Sequence, residues 1–199
     1  MSVPIILASS SNIRAQILRN AGVAFTVQTA RVDEEAAKRA LLAESAPPRD
    51  IADTLAEMKA RKVSDKNPEA MVIGCDQVLD FEGQLLSKPE TPDEAIAQLK
   101  MMRGKRHVLL SAAVIYQDSE PLWRHVGQVR LRMRASSDAY LRAYVARNWD
   151  SIRHAVGAYK LEEEGVRLFA TIDGDYFNVL GMPLLELLNF LAVKGVIDQ

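Results

Sequence analysis

The chain has 199 residues, of which 48% are hydrophobic and 26% are charged, the composition of a globular protein able to bury a core. Its formal net charge of -1 gives no overall positive field for holding duplex nucleic acid, so we expect no nucleic-acid partner. The sequence lacks a signal peptide and any apolar stretch of roughly 18 residues, which predicts a soluble cytoplasmic protein with no membrane partner.

Helices and strands alternate in the first half of the predicted structure. Residues 5–8 form a short apolar strand, followed by Ser9-Ser-Ser11 and by a helix with Ile13, Ile17 and Leu18 on one face. Further along the chain we expect a strand at 23–29 and helices at 33–44 and 51–63.

Strands cluster in the second half. Residues 71–78 are a buried strand whose Cys75 is either a small apolar core residue or a catalytic thiol. A hairpin turn is predicted at 81–83, strands at 107–116, 126–133 and 166–172, loops at 174–178 and 181–183, and helices at 92–102, 139–147 and 184–193. This order favours an α/β fold with a mixed, partly antiparallel sheet flanked by helices.

The segment Ser9-Ser-Ser11-Asn-Ile-Arg14 lies between a predicted strand and a predicted helix. Free backbone N–H groups and the helix dipole make such a junction suitable for an anion, and Arg14 adds a fork for phosphate oxygens. N-capping by Ser11 or Asn12 is the alternative.

Acidic residues occur at two further junctions. Asp33-Glu34-Glu35 begins a predicted helix, where carboxylates either favour the helix dipole or bind a hard cation such as magnesium or manganese. Asp76 lies at the end of an apolar strand, where α/β proteins place their catalytic and binding groups.

Two lysines complete the candidate set. Lys88 precedes Pro89 just after the predicted hairpin, and Lys59 lies one helical turn after Leu55. Together with the carboxylates of Glu34 and Asp76, with Arg14 and with a turn suited to binding an anion, these lysines favour metal-assisted attack of water on a polyphosphate.

Five segments in this order resemble the Maf-like nucleoside triphosphate pyrophosphatases: residues 7–14, 32–34, 74–77, 87–89 and 174–184. The resemblance implies one Maf-like domain over residues 1–199, elongated, with two lobes around a central cleft. It also implies a homodimer.

Roles for individual residues follow from the resemblance alone. Ser9, Ser11 and Arg14 would hold phosphates, and Lys59 and Lys88 would neutralise the triphosphate. Glu34 and Asp76 would bind Mg²⁺ or Mn²⁺ or activate water, with Asp76 as proton acceptor. The substrate would be a nucleoside triphosphate, cleaved to the monophosphate and pyrophosphate.

Three positions bear on the base of the substrate. Ile13 stands where many relatives carry arginine or tryptophan. Gln77 stands where relatives that prefer thymidine or uridine triphosphate tend to have threonine, and Glu162 begins a Glu162-Glu-Glu164 triplet. The pattern is closer to the branch that hydrolyses 7-methyl-GTP, although the triplet could equally be an exposed charged turn.

Two other functions compete with hydrolysis. A nucleotide-sensing interaction protein in cell division would bind nucleotide without turnover. A nucleic-acid-binding protein would use Arg130, Arg132 and Arg134, whose alternation otherwise indicates a solvated strand face.

Overall fold

The computed structural model describes residues 3–198, and within them the chain forms seven strands and seven α-helices. The strands are β1 (Ile5–Leu7), β2 (Thr26–Val27), β3 (Met71–Phe81), β4 (Gln84–Leu86), β5 (Arg106–Gln117), β6 (Glu120–Met133) and β7 (Phe169–Asp173). The helices are α1 (Asn12–Asn20), α2 (Glu34–Ala43), α3 (Pro48–Ser64), α4 (Pro92–Met102), α5 (Asp138–Ile152), α6 (Tyr176–Val179) and α7 (Leu184–Val193). Two 3₁₀ turns lie at Val156–Ala158 and Glu164–Leu168.

All seven strands belong to one sheet, ordered β2-β1-β3-β5-β6-β7, with β4 paired to β3. The pairs β1–β2 and β1–β3 are parallel, whereas β3–β4 and β6–β7 are antiparallel. The predicted mixed α/β sheet flanked by helices is therefore confirmed.

The chain divides into two compact units. The first contains the chain up to Gln77, then Leu110–Gly127, then the chain from Tyr176 onward. The second contains Val78–Leu109 and Gln128–Asp175.

The core of the first unit forms around β1 and the first half of β3. The two strands pair in parallel, with Leu7 opposite Ile73, and both side chains are fully buried. The apolar faces of α1 and α7 pack against them, through Ile17, Leu18 and Leu187 among others. Ser9 and Arg14 follow the end of β1, whereas Asp76 lies within β3 and not at a strand end as the sequence predicted, because β3 continues to Phe81.

The second unit is organised around two antiparallel pairs. The β3–β4 hairpin pairs Asp80 with Leu85, and Glu82 and Gly83 turn the chain with positive φ angles of 53° and 86°. On β6, Val129, Leu131 and Met133 are buried, while the alternating Arg130, Arg132 and Arg134 are exposed. The predicted solvated face of this strand is confirmed.

Several predicted boundaries were wrong. The strand expected at 23–29 is limited to the two exposed residues of β2, and β6 begins at Glu120 rather than at 126. Asp118 and Ser119 turn the chain between β5 and β6 with positive φ angles, and because neither residue is glycine the sequence pattern did not indicate a hairpin.

Three further predictions differ from the structure. Helix α3 begins at Pro48 rather than at 51, because proline is tolerated in the first helical turn. The strand expected at 166–172 begins only at Phe169, after the 3₁₀ turn, where a Cβ on Gly165 would lie 2.4 Å from the Lys160 carbonyl oxygen. The loop expected at 174–178 includes the start of α6.

No helix between residues 3 and 198 is long and apolar enough to cross a membrane.

Candidate functional site

Lys59, Asp76 and Glu34 form a charged cluster in the first unit. The Lys59 ammonium lies 2.7 Å from Asp76 Oδ1 and 3.0 Å from Glu34 Oε2. Lys59 and Asp76 are both buried, whereas the Glu34 side chain is 46% exposed. One ammonium on α3 thus contacts the middle of β3 and the first residue of α2.

The close packing of α3 on β3 brings Lys59 to Asp76. A Cβ on Gly74 would lie 2.2 Å from the Ala56 carbonyl oxygen and 2.6 Å from the Ala60 backbone nitrogen. Only a glycine fits there without movement of the helix. Because Ala56 and Ala60 flank Lys59 along α3, this approach places the ammonium beside Asp76.

Burial raises the pKa of the Asp76 carboxyl above its ordinary value, and the positive charges of Lys59 and Arg14 oppose this rise. A carboxylate in such surroundings is a better proton acceptor than an exposed one. Cys75, the preceding residue, is fully buried, and burial raises the pKa of its thiol to about 11. It is therefore a core residue, as one of the two sequence interpretations expected, and a thiolate nucleophile is excluded at neutral pH.

The turn after β1 combines capping with an arginine held in place. Ser11 caps α1, since its hydroxyl accepts from the Arg14 backbone nitrogen. Ser9 is buried, and its hydroxyl accepts from the Ser11 backbone nitrogen at 3.2 Å and from Arg14 Nη1 at 3.4 Å. The predicted capping by Ser11 is confirmed, and the anion site stays a prediction.

Backbone carbonyls fix the Arg14 guanidinium. Its Nε donates to Gly181 O at 2.8 Å, and its Nη1 donates to Cys75 O at 3.1 Å. Gly181 has a positive φ of 98°, and a Cβ there would lie 3.1 Å from Arg14 Nε and from Nη2. Arg14 therefore joins α1 to the middle of β3 and to the segment before α7. Ile13, its neighbour, is partly buried against the core rather than free.

Gln77 is oriented by a set of acceptors. Its Nε2 lies 2.9 Å from Ser111 Oγ, 2.9 Å from Asn178 O and 3.1 Å from Val179 O. The Ser111 hydroxyl donates to Asn178 O at 2.6 Å, so it can only accept from Gln77. The amide nitrogen must therefore face this group, and the Oε1 acceptor is the atom left for a ligand.

Two predicted site residues, Lys88 and Glu162, belong to the second unit. Both are exposed, and neither has a hydrogen-bond or ion-pair partner among the residues described. The other two glutamates of the triplet are engaged: Glu163 accepts from Ser151, and Glu164 accepts from Arg147 and Asn148. Of the triplet, Glu162 is thus the carboxylate that the fold leaves available.

A divalent metal fits the donor chemistry of Glu34 and Asp76. Their carboxylates already share one positive group, and Mg²⁺ is commonly bound through one or two carboxylates together with water and substrate phosphates. No group of three or more His, Cys, Asp or Glu residues between residues 3 and 198 could hold a metal. The phosphates of a ligand would therefore have to supply the remaining contacts.

Sequence reasoning missed Ser111, Gly74 and Gly181. Ser111 lies in an apolar strand, where a single serine is an ordinary core residue. Gly74 immediately precedes Cys75 and Asp76, and a glycine inside a buried strand is a signal for close backbone approach that could have been used.

Comparison with known proteins identifies the family of the chain. The family model described as "Maf-like protein" matches residues 4–193. A nucleoside triphosphate pyrophosphatase of Ruegeria pomeroyi is 77% identical over 198 residues, covering 100% of both chains. One from Caulobacter vibrioides is 52% identical, covering 98% of this chain and 97% of its own. A 7-methyl-GTP pyrophosphatase of Brucella abortus is 43% identical, covering 100% of both. The chain therefore belongs to the Maf-like protein family.

Proposed function

We propose that this protein hydrolyses a nucleoside triphosphate to the monophosphate and pyrophosphate. Water adds to the α-phosphorus, the bond from that phosphorus to the bridging oxygen breaks, and pyrophosphate leaves with the bridging oxygen. The names of relatives at 70–77% identity support this reaction class.

One observation carries the proposal: the Lys59 ammonium lies within 3.0 Å of both Asp76 and Glu34. Two carboxylates and a lysine held this closely, with Ser9 and Arg14 following the neighbouring strand β1, combine proton-accepting and phosphate-binding groups. A simple nucleotide sensor has no need of a buried carboxylate as proton acceptor, so the cluster favours turnover.

Asp76 is the proton acceptor in this mechanism. Its burial and raised pKa suit a group that takes a proton from the attacking water. Lys59, hydrogen-bonded to Asp76 Oδ1, orients the carboxylate and keeps a positive charge beside the developing negative charge on the phosphates.

Phosphate binding is assigned to Ser9, Ser11, Arg14 and Lys88. Arg14 is already fixed by backbone carbonyls, and its Nη2 makes no hydrogen bond within the described chain. Its two remaining N–H groups therefore suit a phosphate oxygen. The role of Lys88 stays a prediction from the resemblance.

A divalent metal, Mg²⁺ or Mn²⁺, is proposed to bind Glu34 and Asp76. When bound it would neutralise charge on the pyrophosphate leaving group. Lys59 contacts the same two carboxylates, so the metal and the ammonium would share them.

For the base, we propose guanine or 7-methylguanine. Gln77 keeps an acceptor oxygen free, which suits the N–H donors on the guanine edge. A role for Glu162 stays a prediction from the resemblance. Ile13, partly buried against the core, would contribute only apolar contact. A homodimer, a cytoplasmic location and a single functional domain over residues 1–199 likewise stay predictions.

The test is to incubate the protein with a panel of nucleoside triphosphates that includes 7-methyl-GTP, and to measure pyrophosphate with Mg²⁺, with Mn²⁺ and with a chelator. We expect metal-dependent release that is fastest for a guanine nucleotide, and a loss of at least about 100-fold in Asp76→Asn. Binding without turnover would support the sensing protein instead. Full activity of a well-folded Asp76→Asn preparation would refute the assigned mechanism.

A further inference from the structure

A basic pocket lies in the first unit beside α3. It has a volume of about 230 Å³ and is lined by Gln28, Thr29, Ala30, Arg31, Lys62, Val63 and Lys66. No acidic residue is in this lining. We propose that this pocket is a second oxyanion site, whose ligand is inorganic pyrophosphate. The choice of ligand rests on the proposed function, whereas the presence of an anion site does not.

The first support is uncompensated charge. Arg31, Lys62 and Lys66 are exposed, and none of them has an ion-pair partner within residues 3–198. The carboxylates nearest in sequence are engaged elsewhere: Asp33 caps α2, and Asp65 accepts from Ser119. In a chain with a formal net charge of -1, three cations around one cavity form a local positive field.

The second support is that hydrogen bonds hold the segments lining the pocket in place. Asn67 Nδ2 donates to Val63 O at 2.7 Å and to Gln28 Oε1 at 3.1 Å, which ties the segment after β2 to the end of α3. The Gln28 backbone nitrogen also donates to Leu7 O. Because the Gln28 amide oxygen is used by Asn67, its NH₂ group is available to donate to an anion.

The third support is that the pocket and the charged cluster use the same two segments, α3 and the chain around the start of α2. Lys62 follows Lys59 by three residues and is about 5 Å further along α3, whereas Lys66 lies two residues beyond the end of the helix. On the opposite side, Arg31 precedes Glu34 by three residues. An anion released from Lys59 would thus find the next positive charge on α3, Lys62, about one helical turn away.

A structural role competes with this assignment. Cations near the C-terminus of a helix stabilise it through the helix dipole, and α3 ends at Ser64. That account covers Lys62 and Lys66 but not Arg31, which lies on the facing segment. Experiments can distinguish the two roles. Loss of a helix-dipole interaction lowers the free energy of unfolding, whereas loss of an anion site lowers the affinity for pyrophosphate.

The test is calorimetric titration of metal-free protein with inorganic pyrophosphate. The variant carries Arg31→Gln, Lys62→Gln and Lys66→Gln, and its control carries Arg61→Gln, Arg142→Gln and Lys194→Gln. The control removes the same charge from exposed residues outside the pocket lining. We expect the affinity to fall by at least about tenfold in the pocket variant, since charge-assisted hydrogen bonds are lost, and to change little in the control. An equal change in both variants, or no change, would overturn the proposal.

Two further arms make the result specific. If thermal unfolding shows that the triple variant is unstable, Arg31→Gln alone replaces it, because Arg31 is outside the helices, and a loss of about threefold is expected. A non-hydrolysable nucleoside triphosphate should bind the pocket variant and the wild type equally. A loss of nucleotide affinity matching that for pyrophosphate would overturn the assignment to the released anion. Because binding is measured without turnover, failure of the proposed hydrolysis would leave this result interpretable.

Discussion

The backbone nitrogen of Ala60 lies where a side chain on Gly74 would be, only 2.6 Å from the position of its Cβ. We therefore expect Gly74→Ala to displace α3 and to lower the free energy of unfolding by about 2 kcal/mol. Activity should fall more than stability, since Lys59 moves with the helix. Urea unfolding and kcat measure the two effects.

Gly195→Ala is the matched control for Gly74→Ala. A Cβ at Gly195 meets nothing within 4 Å, although its φ is 66°. Only about 1 kcal/mol should be lost there, from the left-handed backbone conformation, with activity retained. Equal losses in the two variants would contradict the packing explanation.

Removal of Lys59 should leave Asp76 buried without its counter-charge. We expect Lys59→Met to destabilise the protein by about 3 kcal/mol. The double variant Lys59→Met with Asp76→Asn should be more stable than Lys59→Met alone, because the uncompensated charge is gone. A double-mutant cycle of unfolding free energies checks this, and strict additivity would show that the pair does not interact.

The orientation of Gln77 predicts the effect of an isosteric change. In Gln77→Glu a carboxylate oxygen would replace the NH₂ group that faces Ser111 Oγ, Asn178 O and Val179 O. Facing acceptors repel, so we expect the variant to lose about 2 kcal/mol of stability at pH 7. Gln77→Met, which brings no charge, should lose less. Thermal unfolding measures both, and a Gln77→Glu protein as stable as the wild type would mean that the amide is reversed.

Acid should destabilise the second unit through His107. This residue is buried beside the Tyr159 hydroxyl, and burial lowers its pKa from 6.5 to about 4. In the unfolded chain His107 binds a proton below about pH 6.5, whereas in the folded chain it stays neutral until about pH 4. Stability is therefore lost as the pH falls through this window, by about 3 kcal/mol.

His107→Gln tests the origin of that acid sensitivity. Glutamine keeps a polar partner for Tyr159 but does not titrate. Its unfolding free energy should depend less on pH between 6.5 and 4 than that of the wild type, measured by urea unfolding at a series of pH values. Identical slopes would assign the sensitivity to other groups.

Local patterns in the sequence predicted much of the fold. The helices Pro92–Met102 and Leu184–Val193 have the predicted bounds. Pro92 begins the first helix and Pro183 immediately precedes the second. The apolar residues of both helices recur with a helical period. The start of β6 was missed because its turn uses Asp118 and Ser119 rather than glycine. Helix or strand periodicity carries no information about such turns.

The candidate site was predicted unevenly. Asp76 was identified because the sequence predicted it at the end of an apolar strand, although it lies within β3. A lysine on a helix, such as Lys59, is ordinarily a surface residue and needed the family resemblance. The partners of Gln77 come from residues 111, 178 and 179. Contacts between such distant segments depend on tertiary packing, which single-sequence patterns do not encode.

The carbonyl contacts of Arg14 also have an entropic consequence. A free arginine side chain has about 2 kcal/mol of rotamer entropy to lose when it becomes ordered. Gly181 O and Cys75 O hold the guanidinium in one arrangement in the folded chain, so that loss has already occurred when a ligand arrives. A lysine at this position would still be mobile and would have to become ordered with each binding event.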